Sequence, residues 1–240
     1  MKMQKISEAI SIIPAAQRHY NDFGWLQTYW LFSFSDYYDP NNLQFGALRV
    51  FNDDVVAAGK GFPSHAHKEM EIITLVLEGE LTHEDSAGHV EVIRPGEVQR
   101  MTAGRGIRHS EFNRSDQPVH LYQIWIRPDQ NDLTPSYEQK AYDPALWRNQ
   151  LHPVASGQGH PGAVVFRTDA AVYRADLDAQ VELAYGPSLG RGAFVYLIEG
   201  QLQINQSTLQ THDQARIIME TPLTIKALEP TRFILIDVPL

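Results

Sequence analysis

Cysteine is absent from the 240 residues, which excludes disulfides, thiolate nucleophiles and cysteine-ligated metals. Long apolar runs are missing too: no stretch approaches the roughly 20 residues that a membrane helix needs. The mildly apolar stretch Ile6–Ala16 is broken by Glu8 and Pro14 and makes a poor secretory leader. A cytoplasmic, reducing location is therefore expected, with no membrane partner. Positive charge is in deficit. With 20 Lys+Arg against 29 Asp+Glu, the formal net charge of −9 opposes phosphate backbones, so no direct nucleic-acid binding is expected. Helical periodicity is scarce as well. Only Asp143–Gln150 reads as a short helix, with Asp143 as its cap and Pro144 in the first turn.

What is present is a succession of short β-strands. Runs such as Ala47–Phe51, Glu71–Leu77, Leu121–Ile126, Gly192–Ile198 and Phe233–Val238 are separated by Gly, Pro, Asn and Asp clusters. This pattern predicts an all-β barrel or sandwich architecture. The chain also repeats itself. Thr74–Leu81 (TLVLEGEL) aligns with Val195–Leu202 (VYLIEGQL), and Glu97–Met101 with Asp213–Ile217 after a shortened loop. Two related halves are the simplest reading.

The chemistry concentrates in two segments. Gly61-Phe-Pro-Ser-His65-Ala-His67 is the first, and Gly106-Ile-Arg-His109-Ser-Glu111 the second. Strand side chains alternate faces, so His65 pairs with His67 and His109 with Glu111. If both strands line one barrel, three imidazoles and a carboxylate converge inside it. Such a set suits a borderline divalent ion: Fe, Ni, Cu, Mn or Zn. Glu71 competes with Glu111, because it lies an even number of residues from both early histidines. His83-Glu84-Asp85 reads as strand and turn chemistry rather than a metal cluster. His19, His89, His120, His152 and His160 lack a sequence partner and default to the surface or to a satisfied core. Trp25, Trp30, Trp125 and Trp147 read as packing residues, and Gly104-Arg-Gly106 as the turn before the ligand strand.

These segments resemble the pirin family. The likeness rests on Gly61-Phe-Pro-x-His-x-His, Leu77-Glu-Gly, Pro95-Gly-Glu-Val-Gln99 and Met101-Thr-Ala-Gly-x-Gly-Ile-x-His-Ser-Glu111. It extends to Ala47–Asp54 and Leu121–Ile126, and the second half follows only in outline. The resemblance implies two tandem cupin barrels, double-stranded β-helices of jelly-roll type. Their expected boundaries are 1–130 for a metal-binding barrel, 131–160 for a linker and 161–240 for a metal-free barrel. It implies one divalent ion, iron first, on His65, His67, His109 and Glu111, which favours Glu111 over Glu71. It further implies quercetin 2,3-dioxygenase activity on a flavonol-like substrate and dioxygen, with Glu111 as proton acceptor. The alternative it leaves is a metal- or redox-dependent regulator that binds protein partners. Shifted by the repeat, the four ligand positions fall on Gly186, Ser188, Ile225 and Ala227, none able to replace the ligands. His212 and Asp213 read as turn residues.

Overall fold

The computed structural model describes residues 9–186, 190–219 and 221–240. Strands, numbered β1–β22 along the chain, dominate the described residues, with short 3-10 turns at Ala15–Gln17 and Pro144–Trp147. The second turn is all that forms of the expected helix. Asn149 adopts a left-handed φ of 57°, which an α-helix does not accommodate. No helix among the described residues is long and apolar enough to cross a membrane.

The chain divides into two compact units. One comprises Arg18–Pro144 and Val154–Asp169. Its larger sheet carries seven strands, in the order β12 (Ser136–Ala141), β9 (Glu97–Thr102), β6 (Glu71–Glu78), β11 (Val119–Ile126), β4 (Leu48–Val56), β3 (Leu26–Trp30) and β2 (His19–Asp22). Its smaller sheet runs β5 (Gly61–His67), β10 (Ile107–Phe112), β7 (Leu81–Asp85) and β8 (Val90–Ile93). Leu26, Val76 and Leu121 from the larger sheet pack with Leu81 and Ile93 from the smaller one. That shared core closes the two sheets into a barrel.

The other unit comprises the segment ending at Gln17, Ala145–Pro153 and Ala170–Leu240. One of its sheets joins β1 (Ala9–Ile13), β20 (Gln214–Met219), β17 (Arg191–Glu199), β22 (Thr231–Pro239) and β15 (Ala171–Leu177). The other joins β16 (Glu182–Tyr185), β21 (Leu223–Ala227), β18 (Gln201–Ile204) and β19 (Ser207–Gln210). Its core interleaves Val195, Leu197, Phe233 and Leu235 with Leu202, Ile204 and Ile225.

The sequence repeat is a structural one. In each copy a strand of the large sheet ends at Glu-Gly, and the chain crosses to the small sheet. Gly79 (φ 75°) and Gly200 (φ 93°) make the two crossings. A Cβ on Gly79 would sit 2.6 Å from the Pro118 carbonyl oxygen, and one on Gly200 would sit 2.4 Å from that of Pro230. Only glycine fits both the conformation and the approach.

This division differs from the contiguous boundaries expected from sequence. β1 pairs antiparallel with β20, Ile10 opposite Ile217, so the first described strand covers an edge of the C-terminal sheet. The stretch 131–160 is structured as well: β12 pairs with β9 from Ser136–Thr102 to Ala141–Glu97. β13 (His152–Ser156) pairs in parallel with β14 (Val164–Val165).

Candidate metal centre

Register brings the candidate ligands together. β10 lies between β5 and β7, with His109 opposite His65 on one side and opposite Asp85 on the other. Glu111 lies opposite His83. An irregularity between His109 and Glu111 shifts the pairing, so that Glu111 faces Phe62 on β5. Gly61 permits this approach, since a Cβ there would sit 2.2 Å from the Glu111 carbonyl oxygen. All of these side chains lie on the inner face of one sheet.

One ligand-capable atom each from His65, His67 and His109 fall within 4.8 Å of one another. A second set with the same spacing is His83, His109 and Glu111. His109 belongs to both: the first set holds three of the four sequence-derived candidates, and the second joins the fourth, Glu111, to His109 together with His83. The free atoms are the informative ones. His67 Nε2, His109 Nε2 and Glu111 Oε1 are buried without a hydrogen-bond partner. His65 Nδ1 lies 2.8 Å from the Pro63 carbonyl oxygen, which leaves its Nε2 for another partner. Gln123 Nε2 donates to Glu111 Oε2 at 2.8 Å, and the Trp125 indole donates to Gln123 Oε1 at 3.1 Å. Buried polar atoms are rarely left unpaired, so these orphaned donors fit a cation at their centre.

Electrostatics keep the imidazoles ready for it. Burial, then the neighbouring His109 and His65, push His67 down to about 4. Burial, then His65 and His83, push His109 down to about 3. Both rings are therefore neutral near pH 7, the form that binds metal.

His83 is the residue that sequence reasoning missed. It is fully buried, and its Nδ1 lies 3.4 Å from His109 Nδ1. Its Nε2 lies 3.2 Å from Asp85 Oδ2, and His89 Nδ1 lies 2.9 Å from the same oxygen. Burial alone would raise Asp85, but hydrogen bonds from His89 and His83 take it below the usual carboxylate range. A proton on His83 Nε2 directed at Asp85 leaves His83 Nδ1 as an acceptor for His109 Nδ1–H. His109 then presents a bare Nε2 lone pair, the arrangement in which outer partners fix a ligand's tautomer. The alternation of His83 and Asp85 on one strand was the available signal. The partner strand that gives it meaning is remote in sequence.

Glu71 does not join the cluster. It is buried and accepts hydrogen bonds from Thr102 Oγ1 at 2.7 Å and the Arg167 amide at 3.1 Å. The even spacing from His67 fails because a turn intervenes. Glu69 takes φ 49°, and the chain passes from the small sheet to the large one. Trp30 and Trp125, expected as packing residues, line a cavity of about 290 Å³ that opens beside His65, His67 and Glu111. Phe34 and Phe62 share that wall, so the space is mostly apolar. Of the four repeat-shifted positions, Ile225 and Ala227 are fully buried apolar side chains, Gly186 has none, and Ser188 lies outside the described residues.

Two β-barrel units, one with an imidazole–carboxylate cluster in its interior, define the bicupin class. Residues 14–126 match the Pirin family model, and residues 153–238 match that of the quercetinase C-terminal cupin domain. The chain is 42% identical over 231 residues to quercetin 2,3-dioxygenase of Escherichia coli strain K12, covering 96% of this chain and 99% of that one. It is 40% identical over 217 residues to a pirin-like protein of Caulobacter vibrioides, covering 90% and 94%. Among solved structures, bacterial pirin YhhW from Escherichia coli in complex with nickel(II) superposes with a TM-score of 0.91. That match is 39% identical and covers 96% of this chain and 99% of the other. The chain belongs to the pirin family.

Proposed function

We propose that this protein is a metal-dependent dioxygenase that opens the heterocyclic ring of flavonols such as quercetin. Both atoms of dioxygen enter the ring-opened product, and carbon monoxide leaves. The carrying observation is the set of unpartnered atoms, His67 Nε2, His109 Nε2 and Glu111 Oε1, beside an apolar cavity. His65, His67, His109 and Glu111 hold the ion in this reading. A bound divalent ion supplies Lewis acidity, acidifying a hydroxyl presented to it.

The chain's own residues supply the rest. Glu111 accepts the substrate hydroxyl proton on its carboxylate, which Gln123 orients by donating to Oε2. Trp30, Phe34 and Trp125 hold the planar rings and exclude water. The donor set accepts iron, nickel, copper, manganese or zinc. We place iron first, on cellular availability. The C-terminal barrel is metal-free and structural in this reading.

The test is metal content and quercetin turnover, followed by oxygen uptake and carbon monoxide release. The wild type should carry about one equivalent of metal and turn over, and a His65→Ala variant should lose both. Full metal occupancy with no turnover across the iron, nickel, copper and manganese forms would refute the enzymatic reading.

A further inference from the structure

The cavity contains two polar side chains that the metal site does not use. Asn52 and Asp54 stand two residues apart on β4, so they share its inner face, and both line the cavity. Asn52 is 3% exposed and Asp54 is 3% exposed. Asn52 Oδ1 and Asp54 Oδ1 are both buried without a hydrogen-bond partner. Their surroundings offer little relief. Leu26, Trp30 and Phe62 occupy the same wall, and the buried Thr28 hydroxyl opposite Asp54 leaves Asp54 Oδ1 without a hydrogen bond. Gln123, cross-strand from Asn52, has its amide nitrogen on Glu111 and its oxygen on Trp125. Its amide is therefore committed, while the neighbouring Asn52 and Asp54 oxygens are free.

Register also sets their place relative to the metal centre. Asn52 adjoins Gln123, which touches Glu111, so the two acceptors begin one residue beyond the ligand carboxylate. A flavonol with one hydroxyl at the ion would extend its remaining rings along the apolar wall, towards β4. Two unpaired acceptors in an apolar wall call for hydroxyl donors.

We propose that Asn52 and Asp54 form a hydroxyl-reading subsite that selects polyhydroxylated flavonols over the unsubstituted flavonol. The proposal rests on the flavonol reading and names what discriminates among members of that class. A ligand that brings hydroxyls satisfies both oxygens. One without them leaves two buried acceptors unpaired, which disfavours it by roughly 10- to 100-fold.

Anaerobic titration of the nickel-loaded protein tests this, with quercetin and the unsubstituted flavonol as probes. The wild type should bind quercetin roughly 10- to 100-fold more tightly. Asn52→Leu and Asp54→Leu should each shrink that ratio towards one by weakening quercetin, with the unsubstituted flavonol unchanged or tighter. Equal affinity of the wild type for both probes, or binding of neither, overturns the subsite, and this result needs no variant to fold. Variants that weaken both probes alike overturn it too. Turnover across the iron, nickel, copper and manganese forms separates the two claims. Quercetin preference without ring cleavage would sink the dioxygenase reading and leave the subsite standing. Cleavage without preference would sink the subsite alone.

Discussion

Asp54 should cost this protein stability, and Asp54→Asn should recover it. The carboxyl is buried in the cavity wall. Burial pushes it up to about 7 from 3.8; the neighbouring Thr28 hydroxyl opposes this, the charges of Asp53 and Glu111 add to it, and His120 pulls weakly the other way. That displacement corresponds to about 4 kcal/mol in favour of the protonated form. The sign follows from proton counting. Between those two values the folded state holds the proton more often than the unfolded chain, so stability falls as pH rises through the interval. About 3 kcal/mol of the penalty accrues between pH 5 and pH 8. The asparagine keeps the shape and cannot ionise, so that slope disappears. Urea unfolding of metal-free wild type and Asp54→Asn at the two pH values measures it. The advantage of the variant should be larger at pH 8 by about 3 kcal/mol, with equal m-values. An advantage of the same size at both pH values, or none, would refute the reasoning.

Glu71→Met should lower stability by about 1–3 kcal/mol, because the Arg167 amide and Thr102 hydroxyl lose a buried acceptor. Bound metal should be unchanged; loss of metal at unaltered stability would make Glu71 a ligand after all. His83→Phe keeps a planar ring and removes the acceptor facing His109. Metal affinity, read by chelator competition, should fall roughly 10- to 100-fold with stoichiometry retained. An unaltered affinity would show that His109 holds its orientation without His83.

Much of the site was legible from local pattern. Period-two spacing put His65 with His67 and His109 with Glu111, and the structure gathers all four in one barrel around His109. Parity breaks where the backbone leaves the strand. The turn through Glu69 sends Glu71 to the larger sheet, so counting residues across it carried no information about its face. His83 was discounted for the turn chemistry that follows it and because adjacent strand residues face opposite sides; its worth depends on His109, 26 residues further along the chain. Trp30 and Trp125 were legible as packing aromatics, but no local signal distinguishes a core wall from a cavity wall.

Composition, alternation and the repeat therefore determined by themselves that the chain is all β, built in two halves and equipped with candidate imidazole and carboxylate ligands on two separate strands. These are properties of single strands and short turns, set by side-chain periodicity and by glycines such as Gly79 and Gly200. The tertiary structure alone decided which strand pairs with which. It placed β1 on β20, set Glu111 opposite His83, and left Asn52 and Asp54 unpaired beside the cavity. Pairing is long-range. Its register follows from the burial of whole sheet faces against each other, and a segment read alone does not reveal the partner that completes it.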